Sequence, residues 1–200
     1  EAMLNYMEAC YEKNSNLDAT AESYWKAIRT RAGVDPDFNK TIAATDYTKE
    51  DDWAIYSAGQ PVDKTLYNIR RERRCEFIAD GMRMWDLKRW RALDQVKNYV
   101  IEGFNLWGDD KGESRLITTG DQANVSSQAA SGNNLCPYRM TEKNNTMYNG
   151  YTWTPACYLY PIVFSDFMLS SPDGDVNNSP IYQNPGWPIE DGASALELPN

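Results

Sequence analysis

Of the side-chain types that commonly perform chemistry in proteins, one is absent from this sequence. The 200-residue chain contains no histidine. Histidine is the commonest general base near neutral pH and the commonest metal ligand, so Ser-His-Asp and Cys-His catalysis are excluded within this chain. Carboxylate chemistry stays open because the chain has 29 Asp and Glu residues. That many acidic residues supply close pairs by chance, and no pair stands out from the background.

The four cysteines are Cys10, Cys75, Cys136 and Cys157, and none lies in a C-x-x-C pair. With no histidine to complete a zinc set, we predict neither a metal site nor a cofactor. Cys10 and Cys75 fall within helical patterns, where a buried free thiol is expected. Cys136 and Cys157 flank a loop region and could pair in an oxidising compartment.

Charge and hydropathy restrict the possible partners. The 20 basic and 29 acidic residues give a net charge of -9, a field that repels nucleic acids and anionic membrane surfaces. No run of eighteen apolar residues is present, so no transmembrane helix is predicted. The sequence opens inside a helical pattern at residues 1–4 without a capping residue, and we expect it to be the later part of a longer protein.

Two amphipathic patterns at the start of the chain predict a helical hairpin over residues 1–33. Asn14-Ser15-Asn16 separates them as a turn, Asp18 or Thr20 can cap the second helix, and Gly33 is placed to end it. Such hairpins are the repeating unit of tetratricopeptide-like solenoids. A solenoid needs about three of them to bury its faces, so we expect upstream helices, missing from this sequence, to cover this one.

The rest of the chain divides into a helical part and a loop-rich part. Residues 34–62 are predicted to be irregular, and one long helix is predicted over 63–93, broken or bent at Gly81. Residues 105–154 are rich in Gly, Ser, Asn, Thr and Asp, which favours loops. A short apolar run and a tail rich in Pro and Asn follow, and the whole of 105–200 is predicted to be loop-rich. The predicted fold class is therefore mainly α, with an irregular C-terminal part.

The segment from Tyr67 to Trp90, YNIRRERRCEFIADGMRMWDLKRW, mixes large apolar residues with charges of both signs. Its pairs Arg73/Glu76, Arg83/Asp86 and Asp86/Arg89 have the i,i+3 spacing of helical ion pairs. The charges alternate with core-type residues and the remaining chain is acidic, which favours a core helix over a nucleic-acid site. Seven apolar residues of the segment cannot all face water: Ile69, Phe77, Ile78, Met82, Trp85, Leu87 and Trp90.

This segment resembles the most recognisable motif of the SusD/RagB family, approximately I-x-x-E-R-x-x-E-x-x-x-E-G-x-R-x-x-D-L-x-R-W. Asp80 stands where the family usually has Glu. The helix ending at 25–34, WKAIRTRAGV, is similar to the family's V-R-x-R-A-G ending. The strings YLYPI at 158–162 and QNPGW at 183–187 are similar to its closing signatures, with Val163 in place of a second proline. The motif matches are Ile69, Glu72, Arg73, Glu76, Gly81, Arg83, Asp86, Leu87, Arg89 and Trp90.

The resemblance implies a mainly α-helical fold of tetratricopeptide-like hairpins in a single domain, of which residues 1–200 are the C-terminal portion. It implies a surface protein of the outer membrane, held by a lipid anchor upstream of this sequence. Such a protein captures a glycan, or a peptide in some branches, and delivers it to a TonB-dependent, SusC-like transporter without catalysis. It also implies that the motif is scaffold.

Ligand contacts are therefore expected outside the motif, where aromatic rings on loops can stack on sugar C–H faces beside polar side chains. A carbohydrate-active hydrolase using two carboxylates and a helical-repeat adaptor that binds peptides are the competing functions. Asp109, Asp110 and Glu113 could hold calcium, although a solvated acidic turn is the expectation. The predicted ligand-binding residues are Trp53, Tyr56, Trp107, Tyr148, Tyr151 and Trp153.

Overall fold

The structure, a computed structural model, describes residues 1–107 and 125–198. The chain divides into two compact units, Glu1–Leu93 and Asp94–Asn200, here called the N-unit and the C-unit. The sequence predicted one domain, and the boundary between the units falls at the end of the helix predicted over 63–93. The predicted ion site at Asp109, Asp110 and Glu113 lies outside the described residues.

A helical hairpin opens the N-unit, as the sequence predicted over residues 1–33. Helix α1 spans Ala2–Asn14 and helix α2 spans Ala19–Arg31. Ser15 ends α1 in the left-handed conformation with φ 53°, and its N–H donates to Tyr11 O at 2.7 Å. The Asp18 carboxylate caps α2 by accepting from the Ala21 N–H at 2.7 Å. Capping by a side-chain oxygen satisfies a backbone donor that no helical carbonyl reaches.

The core of the N-unit forms where this hairpin meets the next two helices. Helix α3 spans Phe38–Ala44 and helix α4 spans Lys64–Glu76. Trp25 of α2 stacks on Phe38 with ring centroids 4.3 Å apart and an interplanar angle of 1°. Apolar burial of this kind is the main favourable term in folding. The buried cluster consists of Leu4, Met7, Cys10, Ala21, Trp25, Ile28, Phe38 and Ile69.

Between α3 and α4 the chain forms short 3₁₀ turns and one small hairpin. The 3₁₀ turns span Tyr47–Lys49 and Trp53–Ile55. Strand β1 spans Tyr56–Ser57 and pairs antiparallel with β2, Gln60–Pro61. The two residues between the strands both have positive φ, 48° and 75°, as a tight hairpin with a type I′ turn requires.

The segment 63–93 holds two helices where the sequence predicted one. After α4, the chain turns and helix α5 spans Arg83–Arg89. Ala79 and Gly81 have φ values of 69° and 74°, and left-handed residues end a right-handed helix. The break predicted at Gly81 therefore becomes a full turn over residues 77–82. This turn returns α5 toward α4, so that side chains of the two helices meet.

The C-unit is built mainly of loops and short helices. Helix α6 spans Gln128–Ser131 and helix α7 spans Phe164–Ser170. Three-residue or four-residue 3₁₀ turns occur at Pro137–Arg139, Pro155–Tyr158 and Val176–Asn178. The mainly α class is confirmed, because helices supply most of the regular structure among the described residues.

The two late sequence motifs of the C-unit, at 158–162 and 183–187, are hydrogen-bonded to each other. The Gln183 amide accepts from the Ile162 N–H and donates to the Ile162 carbonyl, both at 2.8 Å. Asn184 donates to Tyr160 O at 2.6 Å. The Trp187 indole N–H lies 3.0 Å from the carbonyls of Ala156 and Leu159. Hydrogen bonds between side-chain amides and backbone groups thus hold the two irregular segments together, without backbone pairing of the β-sheet type between these described residues.

All four cysteines are free thiols, so Cys136 and Cys157 do not pair. The Cys136 thiol is buried and lies 3.7 Å from Ser131 O. Cys10 is buried as predicted, whereas Cys75 is exposed, because it lies on the face of α4 that points away from the core. Among the described residues, no helix has the length and apolar character needed to cross a membrane.

Candidate functional site

Several charged side chains of the motif at 67–90 form ion pairs with buried carboxylates of the N-unit. Arg73 Nε donates to Asp86 Oδ2 at 2.7 Å, and Arg89 Nε donates to Asp86 Oδ1 at 2.9 Å. Glu8 of α1 accepts from both terminal nitrogens of Arg89, at 2.5 and 2.6 Å, and from the Trp90 indole at 2.5 Å. These bonds tie α1, α4 and α5 into one network.

Of the three predicted i,i+3 ion pairs, only Asp86/Arg89 forms. Arg73 pairs with Asp86, whereas Glu76 pairs with Arg31 of α2. Arg83 binds Asp52, a buried carboxylate in the loop before β1. The prediction for Arg73/Glu76 and Arg83/Asp86 was wrong because the 77–82 turn brings Asp86 to Arg73, and because Glu76 and Arg83 meet partners on other segments.

Arg70 is a fully buried cation in the same unit. It donates to the carbonyls of Ala54 and Tyr56 at 3.1 and 3.2 Å and to Ser57 Oγ at 3.0 Å. Its guanidinium lies 4.9 Å from the Trp90 ring centroid, within cation–π distance. Burial lowers the pKa of Arg70, since a low-dielectric environment disfavours the charged form. The residue anchors the β-hairpin to α4, a structural task.

The apolar residues of the motif do not all turn inward. Ile69, Leu87 and Trp90 are buried, whereas Ile78 and Trp85 are largely exposed. Ile78 lies in the turn at 77–82, which directs it outward. Together with the ion pairs to Glu8, Asp86 and Asp52, this makes the motif a structural element that joins helices.

The six predicted ligand-binding residues divide between the two units. Trp53 and Tyr56 are half-buried in the N-unit. Trp107, Tyr148 and Tyr151 are half-buried in the C-unit, and the Arg139 guanidinium lies 5.9 Å from the Tyr148 ring centroid. Trp153 is buried, with 9% of its surface accessible. One of these residues lines a pocket that also contains hydrogen-bonding side chains.

That residue is Trp153, and its pocket has a volume of about 120 Å³. Here it is called the Trp153 pocket. Its volume is below the range of about 300–1,000 Å³ usual for small-molecule sites. It can therefore accept an edge or substituent of one sugar unit, with the remaining glycan outside. The pocket is lined by Asp94, Lys97, Trp153, Pro155, Glu197 and Leu198.

Three chain segments of the C-unit form this pocket. The 3₁₀ turn Leu93–Val96 supplies Asp94. The Trp153 ring packs edge-on against Tyr158 with centroids 4.9 Å apart. Thr154 Oγ1 donates to Leu196 O at 2.8 Å and accepts from the Leu198 N–H at 3.2 Å. Those two bonds fix the C-terminal segment that closes the pocket.

The charged groups of the pocket are not all paired with a group of opposite charge. Lys97 Nζ lies 3.0 Å from each oxygen of Glu197. Within the part of the chain that the structure describes, Asp94 Oδ1 accepts one long bond of 3.4 Å, from the Tyr158 hydroxyl. Asp94 Oδ2 is buried and has no hydrogen-bond partner among the described residues. The carboxylate of Asp94 is thus the anionic group of this pocket that has no cation within salt-bridge distance in the described part of the chain.

Comparison with known families identifies the chain. A model of the SusD family matches residues 1–187. The chain belongs to the SusD family. This confirms the resemblance drawn from the three sequence motifs. Neither the curated proteins nor the solved structures include a match.

The motif that identifies the SusD family is the segment whose ion pairs join the helices of the N-unit. The family's arginine-rich motif is satisfied internally by Glu8, Asp86 and Asp52. At the family level, SusD proteins are nutrient- and glycan-binding proteins associated with the outer membrane at the cell surface, and they are binding proteins rather than enzymes.

Sequence reasoning missed the two most exposed tyrosines of this SusD-family chain. Tyr160 and Tyr182 are 71% and 90% exposed. They lie on the two segments that Gln183 and Asn184 hold together. Tyr160 was counted within a family motif, and Tyr182 lies in a proline-rich tail without periodicity. Pro161 follows Tyr160 directly and Pro180 lies two residues before Tyr182. These prolines, which stiffen the backbone, were the available signal.

The acidic turn at Asp173–Asn178 satisfies its carboxylates locally. Asp173 accepts from the Asn178 amide at 2.7 Å and from the Asp175 N–H at 3.0 Å. Hydrogen bonds from Ser171 and these groups lower the pKa of Asp173. This is the turn chemistry expected of Asp and Asn. Within residues 1–107 and 125–198, no three His, Cys, Asp or Glu residues gather as a metal set.

Proposed function

We propose that this chain captures an oligosaccharide or polysaccharide at the cell surface and delivers it to a TonB-dependent transporter of the outer membrane. Attachment to the membrane is through a lipid anchor upstream of the present sequence. Two observations support the proposal: membership of the SusD family over residues 1–187 and the Trp153 pocket of the C-unit. The pocket is the observation that carries the assignment of a glycan, because it pairs an aromatic ring with polar side chains.

The physical reasoning for a sugar rests on the two kinds of surface that a pyranose presents. Its axial C–H groups form apolar patches that pack on aromatic rings. Its hydroxyl groups need hydrogen-bond partners, since burial of an unpaired hydroxyl is unfavourable. In the Trp153 pocket the accessible part of the Trp153 ring supplies the first contact. Asp94, Glu197 and Lys97 supply acceptors and a donor for the second.

Binding without turnover is the mode that these residues support. The chain has no histidine, and Glu197 is engaged with Lys97 at 3.0 Å. Delivery to a transporter requires release of the cargo, and a small pocket gives modest affinity per sugar unit. Several weak contacts along a polymer add to useful retention through effective concentration.

The test is calorimetric titration of the protein against a panel of soluble polysaccharides, with a reducing-end assay on the same samples. Binding to one glycan class without new reducing ends is the expected result. New reducing ends would show a hydrolase. Binding of a peptide pool together with no binding of any glycan would show a peptide-binding protein.

A pair of variants locates the site. Asp94→Asn keeps the shape of the side chain and removes its charge, and we expect about a tenfold loss of affinity, the effect of weakening one charge-assisted hydrogen bond. Glu142→Gln is the matched control, because Glu142 is an exposed residue of the same unit outside the pocket. Equal affinities for the two variants would place the glycan elsewhere on the protein.

A further inference from the structure

The negative charge of this protein is concentrated in the C-unit. Residues 94–200 contain 13 acidic and 5 basic residues, so they carry -8 of the total net charge of -9. From residue 144 to the end of the sequence there are six acidic residues and no Lys or Arg. Charges beyond about 10 Å are screened at ordinary ionic strength, so the local arrangement at the pocket decides what this excess means for a ligand.

The Trp153 pocket itself also contains more acidic than basic side chains. Lys97 is the cation among the lining residues, and both of its short contacts go to Glu197. That pair is neutral as a unit. Asp94 lacks a cationic partner in the pocket, and its Oδ2 has no hydrogen-bond partner among the residues the structure describes. The pocket therefore presents one uncompensated carboxylate beside an indole ring.

From this we infer that the Trp153 pocket accepts a sugar unit that carries no carboxylate or sulfate, so that the cargo is a neutral or amino-substituted glycan. This inference rests on the proposed function and specifies its substrate class. A hydroxyl or amino group of the sugar donates to the Asp94 carboxylate, whereas an anionic substituent is repelled by it.

The size of the discrimination follows from Coulomb's law. For an anionic group about 6 Å from the Asp94 carboxylate, at an effective dielectric constant of about 20, the repulsion corresponds to roughly a hundredfold in affinity. Solvent at the mouth of the pocket reduces this, because the Lys97 and Glu197 side chains that form its rim are 47% and 71% exposed. We expect a difference of about tenfold or more between a neutral glycan and its anionic derivative.

The experiment compares the glycan that binds in the polysaccharide panel with the same glycan oxidised at its primary hydroxyls to carboxylates. Chain length and backbone linkage are preserved, so the difference reports on charge. The expected result is at least about tenfold weaker binding of the oxidised glycan, partly recovered at high salt. In Asp94→Asn the difference should shrink, whereas in Glu142→Gln it should stay as in the wild type.

The outcomes separate this inference from the proposed function. If the panel identifies a polyuronate or a sulfated glycan as the cargo, the inference is overturned and glycan capture stands. The same holds if the oxidised glycan binds as tightly as its parent, or if Asp94→Asn leaves the difference unchanged. Absence of binding to every glycan overturns both.

Discussion

The buried carboxylate of Glu8 allows a quantitative test of the motif network. Its two oxygens accept from Arg89 at 2.5 and 2.6 Å and from the Trp90 indole at 2.5 Å. In Glu8→Gln, the amide has one oxygen for these donors and directs its own N–H₂ group toward another donor. One bond to Arg89 is therefore lost together with the ion pair, and α5 loses part of its attachment to α1.

The expected loss of stability is about 2 kcal/mol. Breaking a buried ion pair costs about 3–5 kcal/mol, but the Arg89 side chain is 44% exposed and can turn toward water, which reduces its share. The buried Trp90 indole keeps an acceptor only if the new amide oxygen stays in place. With a urea m-value of about 2 kcal/mol/M, the unfolding midpoint should fall by about 1 M.

The assay is urea unfolding followed by far-UV circular dichroism, since the long helices α1, α2 and α4 all belong to the N-unit. Glu22→Gln in α2 is the control. Its side chain is 46% exposed and pairs with Lys26, which is itself 52% exposed, so a change within about 0.5 kcal/mol is expected. A midpoint shift for Glu8→Gln no larger than that of Glu22→Gln would refute the assigned role of the network.

Three other predictions concern alkaline stability, thiol reactivity and the closure of the pocket. Burial raises the pKa of Tyr47 to about 12, above the value of about 10 in an unfolded chain. Its contribution to stability is complete below pH ~10 and is lost between pH ~10 and ~12, so Tyr47→Phe should show a shallower fall in urea midpoint over this range. In a thiol-reagent assay on the native protein, exposed Cys75 should account for the fast phase, and Cys75→Ser should abolish it; a persisting phase would contradict the exposure pattern. Gly186→Ala should lower stability by about 2–3 kcal/mol and weaken glycan binding, because the new Cβ would lie 2.8 Å from Leu198 of the pocket. Gly174→Ala, also at positive φ but with open space around it, should cost about 1 kcal/mol by urea unfolding and leave binding unchanged.

Much of the N-unit follows from local rules. The spacing of apolar residues predicted the hairpin, and Asp18 and Ser15 mark where one helix begins and the other ends. Such signals act within a few residues, so they can be read from the sequence. The 77–82 turn was harder to predict, because Ala79 has no preference for the positive φ of 69° that it adopts.

For the candidate site, the sequence predicted the type of residue involved but not which residues come together in space. Trp153 was named among six aromatic residues, but its partners Asp94 and Glu197 lie 59 and 44 positions away along the chain. Nothing in the local pattern distinguishes Trp153 from Trp107 or Tyr151. Tyr182 was missed because exposure at 90% depends on what packs around a residue.

The sequence by itself determined the family, the mainly helical class and the absence of histidine-based chemistry, because each depends on which residues are present and on their order. Tertiary structure decided which charges pair and which aromatic ring lines a pocket. Arg73 meets Asp86 because a turn reverses the chain, and Trp153 meets Asp94 because three segments converge. Ion pairs and pockets require contact in space, and contact between distant residues is set by how the whole chain buries its apolar surface.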